Sequence, residues 1–184
     1  QVIKYQKRSV CKYCYLPLFL LTLVFGVNAQ GNYQKLAPEI PTAAPKTEFL
    51  YEAIVDVADS VDLGTSVMGQ RKIVPITGGE FSGLGIKGTV LPGGADRQLV
   101  IDENTKHLDA LYELKTDDGV IITVHNQVVS RIGADKRRYA MSHIRLTAPN
   151  GKYAWLNDYA YVGTLDSLRP KRNAVLIRVF KLLP

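Results

Sequence analysis

Gly83-Leu84-Gly85-Ile86-Lys87-Gly88 spells G-x-G-x-x-G, the letters of a dinucleotide-binding loop. That chemistry needs a strand running into the glycines and a helix leaving them, so that the helix N-terminus meets the pyrophosphate. Here Thr89-Val90-Leu91-Pro92-Gly93-Gly94 follows, and no helix starts on such a run. The segment reads as strand and turn backbone, with glycines where strands bulge and coil. No nicotinamide, flavin or other cofactor is expected.

The other reactive residues are sparse. No serine stands in G-x-S-x-G, and His107, His125 and His143 lack metal-ligand spacing, so no metal site is expected. His125 reads as solvent-facing, beside Thr123 and Gln127. Asp96 and Asp109 have the makings of a glycosidase-type carboxylate pair. Carboxylates near hairpins more often cap turns or meet a nearby Lys or Arg, which leaves Asp96 as the single candidate acid or base. Asp117-Asp118-Gly119 is turn chemistry. Lys136-Arg137-Arg138 reads as a solvated loop. Cys11-Lys12-Tyr13-Cys14 would suggest a redox pair or half a zinc site in a folded domain, but its setting is different.

That setting is a basic head, an apolar run at 15–27, and then the small-residue pattern Val27-Asn28-Ala29. The three parts match a secretory signal peptide over residues 1–29, with cleavage expected after Ala29. The apolar run is short for a membrane span of about 20 residues. Four of the 23 basic residues (Lys4, Lys7, Arg8, Lys12) fall in the head, and no acid precedes Glu39. The formal charge of +6 therefore drops to +2 on cleavage, 19 basic against 17 acidic residues. A nucleic-acid partner loses its electrostatic footprint, and no membrane partner is expected after cleavage. The expected location is secreted or periplasmic. Residues 30–47 carry three prolines and no apolar periodicity, which reads as an extended linker. The domain is expected over 48–184, free of cysteine.

Strand signals fill that domain. Phe49, Tyr51, Ala53, Val55 and Val57 alternate with Glu52 and Asp56. Leu108, Ala110, Tyr112 and Leu114 alternate with Asp109, Glu113 and Lys115. The runs VIITVHNQVV and NAVLIRVFKLL are β-branched and nearly continuous. Hairpin-type punctuation stands at Leu91–Gly94, Glu103–Thr105, Asp117–Gly119 and Pro149–Gly151. No stretch sustains a 3.6-residue apolar stripe; the best helical window, 130–141, holds it for a turn or two. The fold class is all-β: eight to ten strands in a single closed antiparallel β-barrel, since a sheet of that size curls or closes and closure removes exposed edges.

A small closed barrel has room for side chains and one small ligand. Polar residues sharing a face with apolar neighbours are then the candidate lining: Tyr112, Asn126, and Trp155 with Asn157 in YAWLN. Asp96 and Gln98 on one face of the GGAD strand join them, with Thr77 and Arg145. The alternative is that Asn126 and Asn157 satisfy backbone groups at strand bends and Trp155 is core.

Three segments, GQRKIVPITGGEFSGLGIKGTVLPGGADRQLV, LDALYELKTDDGVIITVHN and YAWLNDYAYVGT, resemble successive signatures of domain of unknown function 3237, also called UPF0311. The resemblance runs from about Phe49 to Lys181. It implies a compact barrel similar in general shape to lipocalin-type barrels and implies no established activity. The chain departs from the family pattern at Arg97, usually Trp, and at Met141-Ser142-His143-Ile144, usually an Arg-Thr-x-Pro-like run.

Three functions fit this reading. The first is binding of a small, partly apolar ligand inside the barrel. The second is a cofactor-independent lyase or isomerase acting on a hydroxylated or aromatic molecule through Asp96, Tyr112 or Asn126. The third is a structural module whose barrel is filled, with Trp155 packed on Tyr112.

Overall fold

The computed structural model describes residues 36–41 and 43–184. The expected signal segment and both cysteines lie outside the described residues. Residues 36–41 form a short turn in which Ile40 N–H donates to the Ala37 carbonyl. The described residues from 43 onward form one compact unit.

Ten strands follow one another: β1 Lys46–Val57, β2 Val61–Ser66, β3 Gly69–Gly83, β4 Ile86–Val90, β5 Ala95–Val100, β6 Thr105–Thr116, β7 Ile121–Ile132, β8 Arg138–Thr147, β9 Tyr161–Ser167 and β10 Ala174–Leu183. Among the described residues the one helical element is a single 3-10 turn, Ala154–Asp158. β1 takes in Lys46 and Thr47, which pair with Leu183 and Leu182.

Every pairing is antiparallel, and the order β3-β1-β10-β9-β8-β7-β6 closes through β4 and β5. β4 pairs with one half of β3 and β6, and β5 with the other half. They are two halves of one interrupted strand. The barrel therefore has eight positions around its wall. This corrects the reading of Leu91–Gly94 as a hairpin: the chain keeps its direction, and Gly93 N–H and the Gly94 carbonyl bond to Ile76 across the break. β2 continues along β3 in a similar way, and its hairpin with β3 projects past the ring with exposed Val67 and Met68 at its tip.

Strand alternation sets the inside. Tyr51, Ala53, Val55, Leu108, Ala110, Tyr112, Leu114, Ile122, Val124, Ile144, Ile177 and Val179 are all buried in one apolar cluster, with polar neighbours outward, as period-2 patterning requires. Phe49 departs from the expected face. A bulge at Leu50 breaks the register between Phe49 and Tyr51, so Leu50 is buried instead. Phe49 packs edge-on against Phe180, its cross-strand partner, with ring centroids 5.9 Å apart. One extra residue exchanges the faces.

The G-x-G-x-x-G segment is the β3–β4 hairpin. Gly85 sits in its turn at φ 73°, left-handed backbone that suits glycine. A Cβ at Gly83 would collide with the Leu50 carbonyl and the Tyr51 backbone of the neighbouring strand. The glycines serve close strand packing.

Candidate functional site

The two ends of the barrel differ. At one end the turns 84–85 and 117–119 and the segment 149–160 gather. Leu156, wholly buried on the 3-10 turn, and Tyr153 belong to the core cluster there. Tyr161 donates its hydroxyl to the Leu156 carbonyl (2.9 Å). Asp118 ties this end together, accepting from Thr116 (2.6 Å), Lys152 (2.7 Å) and the Tyr153 hydroxyl (3.1 Å). The Lys152 and Thr116 donors hold its carboxyl down at about 2. This end is closed.

The other half of the interior is a cavity of about 540 Å³. Its inward positions run in layers along each strand. On β6 they are Lys106 at the mouth, then Leu108, Ala110 and Tyr112; on β7, Ile132 and Ser130, then Val128 and Asn126. Val55, Val74, Ile76 and Ile177 complete an apolar wall. A space of this size and lining suits a small organic molecule.

Of the expected lining residues, Asp96, Gln98, Tyr112 and Asn126 line this cavity together. Gln98 Nε2 donates to Asp96 Oδ2 (2.6 Å) and the Asp109 backbone N–H donates to Oδ1 (3.0 Å). Burial outweighs those bonds and raises the Asp96 carboxyl above its ordinary value. Burial likewise raises the Tyr112 hydroxyl, which stays protonated across the working pH range. Tyr112 and Asn126 are 1% and 2% exposed, and among the described residues neither the Tyr112 hydroxyl nor Asn126 Oδ1 has a hydrogen-bond partner.

Four expectations are corrected. Thr77 is exposed, because Ile76 holds the inward parity on β3 and Thr77 faces out. Arg145 is exposed for the same reason between buried Ile144 and Leu146. Trp155 lies on the 3-10 turn rather than a strand, 36% exposed, edge-on to Tyr159 and outside the cavity. Asn157 sits on the same turn and closes a backbone clasp, accepting from Ala148 N–H and donating to the carbonyls of Ala148 and Ala154. The strand parity assumed for YAWLN does not apply to a 3-10 turn. Trp155 does not pack on Tyr112, so the arrangement expected of a filled barrel is not the one found.

Asp96 and Asp109 do not form a catalytic pair. They sit on opposite faces of the wall, and the Asp109 carboxylate bonds His125 Nε2 (2.6 Å) and Gln127 Nε2 (3.1 Å) outside. His107 and His143 are exposed. Among the described residues no three His, Asp or Glu side chains converge on a point.

Four cations line the mouth, Lys72, Lys106, Arg138 and Arg169, and none of them was expected there from the sequence. Parity carried a signal for three. Lys106 continues the inward row of Leu108 and Ala110, Lys72 that of Val74 and Ile76, and Arg138 that of Ser142 and Ile144. Arg138 is exposed, as the solvated reading expected, but it stands on strand β8 rather than in a loop, and its Nη1 donates to the Leu165 carbonyl of neighbouring β9 (3.0 Å).

Fold and site together define an eight-position antiparallel barrel, closed at one end, with a part-polar cavity opening at the other. The sequence profile of DUF3237, described as a protein of unknown function, matches residues 45–182, and the chain belongs to that family. A UPF0311 protein of Rhodopseudomonas palustris is 36% identical over 139 residues, 67% of this chain and 88% of that protein. A crystal structure of a conserved protein of unknown function from the same organism superposes with a TM-score of 0.71 at 30% identity, covering 77% of this chain and all of that one. A beta-barrel like protein of Acinetobacter baumannii gives 0.72 at 31% identity, over 78% and 99%. An enzyme from Penicillium herquei gives 0.63 at 24% identity, over 78% and 98%, a likeness of fold alone.

Proposed function

We propose that this protein binds a small, partly apolar molecule inside the barrel, and that it does so as an exported protein, secreted or periplasmic. The observation that carries the binding reading is the cavity itself: aliphatic walls with Asp96 and Asn126 in register on either side of Ala110, and Gln98 one inward position nearer the mouth beside Leu108. A few fixed polar groups on an apolar wall orient a ligand. Export rests on the basic head, the apolar run at 15–27 and the small-residue pattern at 27–29.

Native mass spectrometry tests it. The protein should retain a non-covalent small-molecule adduct, and Val128→Phe, which fills the cavity from the middle of β7, should lose it while remaining folded. Retention of the adduct by that variant would place binding elsewhere.

A second reading has one observation in its favour, the buried Asp96 with its raised carboxyl. In that reading Asp96 is the acid–base group of a cofactor-independent lyase or isomerase. A bound molecule released chemically unchanged supports binding; one converted by the protein but not by Asp96→Asn supports the enzyme.

A further inference from the structure

Lys72, Lys106, Arg138 and Arg169 bring four positive charges to one mouth, and among the described residues none of them makes an ion pair. Lys106 is the most telling. It is only part-exposed on the inward row of β6, and its charge is disfavoured first by burial and then by Arg138, with Lys72 and Arg169 adding to that and Asp96 opposing it. Gathering like charges without counter-charges destabilises a fold.

The acids nearby answer them only in part. Asp96 lies deeper, opposite Ala110 and two inward positions below Lys106, already bonded by Gln98 and the Asp109 N–H, and burial shifts it toward its neutral form. Asp102 and Glu103 are exposed on the β5–β6 turn at the rim, each bonded to Asn104. Four cations against Asp96, Asp102 and Glu103 leave the mouth with an excess of positive charge, none of it in a close ion pair, over an apolar chamber. Such a field attracts an anion and becomes favourable once an anion sits in it.

We propose that the ligand is a small organic anion. Its carboxylate or equivalent acidic group rests among Lys72, Lys106, Arg138 and Arg169, and its apolar body extends past Leu108 and Val128 toward Tyr112. This rests on the cavity-binding reading and names the ligand class for it. A polar group at the far end of the body would meet the unpartnered Tyr112 hydroxyl and Asn126 Oδ1.

Two fluorescent probes with the same ring system separate the possibilities: 8-anilinonaphthalene-1-sulfonate, which is anionic, and neutral N-phenyl-1-naphthylamine. The sulfonate should bind roughly tenfold or more tightly than the neutral probe, the scale of one or two charge-assisted contacts. Lys106→Met should weaken the sulfonate by roughly tenfold and leave the neutral probe within about twofold. Lys115→Met, an exposed cation facing outward near the closed end, should change neither. Equal binding of both probes, or a Lys106→Met protein that binds the sulfonate as wild type does, overturns the anion inference and leaves the cavity reading standing. An equal loss in Lys106→Met and Lys115→Met overturns it as well, because attraction would then be general to the surface. If neither probe binds, the cavity reading falls and the anion inference with it.

Discussion

Asp96 shows how much one side chain's surroundings matter. Its neighbours in the sequence, Ala95 and Arg97, suggest nothing unusual, yet the carboxyl is 9% exposed on the inner wall. Because burial raises its pKa in the folded state, the protonated form is the one folding favours. The stability associated with that form is complete below the ordinary value of 3.8 and is lost as pH rises through the raised value. Asp96→Asn carries no such loss. Thermal unfolding from pH 3 to 8 should therefore show the variant gaining on wild type as pH rises from about 4. A gap that does not change with pH would mean the carboxyl is better solvated than its burial implies.

At the scale of elements, the closed end is held by contacts that no single strand supplies. Asp118 stands in the β6–β7 turn and reaches Lys152 and Tyr153 in the segment that carries the 3-10 turn. Its folded pKa of about 2 lies below the ordinary 3.8, so the stabilisation is present above 3.8 and lost as pH falls toward 2. Asp118→Asn should lower the thermal midpoint at pH 7, and the difference from wild type should shrink as pH falls through that window. The Leu50 bulge works at the same scale. By inserting one residue it buries Leu50, sends Phe49 outward to Phe180 and keeps Tyr51 inside. The alternation of EFLYEAIVDV is legible in the sequence, but the bulge is not, because it depends on the register against β10.

For the whole molecule the decisive event is closure. β3 spans 15 residues and pairs along its length with four other strands, β1, β2, β4 and β5. Gly83 lets β1 pair closely beside it, since any Cβ there meets the Leu50 carbonyl. Gly83→Ala should cost about 1–3 kcal/mol or more in denaturant unfolding, the range for forced overpacking. A variant as stable as wild type would show that the strands separate there without penalty.

The amino-acid sequence by itself determined the fold class, the inward rows of β6 and β7, and the absence of a helix after Gly88. Each is a local matter: period-2 alternation, β-branched composition and the backbone limits of Pro and Gly. It also singled out Asp96, Gln98, Tyr112 and Asn126, because a polar residue on an apolar face is visible from parity alone. The family resemblance was legible from the PITGG, GGAD and YAWLN blocks themselves. Parity misled at Trp155 and Asn157, where the chain leaves the strand for a 3-10 turn, whereas Thr77 and Arg145 face outward because Ile76, Ile144 and Leu146 hold the inward rows. Only the tertiary structure decided that the barrel is closed at one end and hollow at the other. That outcome depends on which inward side chains from distant strands meet. Tyr51, Tyr112, Leu114 and Leu156 fill one half, whereas Leu108, Ala110, Val128 and Ser130 leave the other half open. It also decided that four cations from β3, β6, β8 and the β9–β10 loop share one mouth, since their proximity comes from the closure of the sheet and from no spacing along the chain.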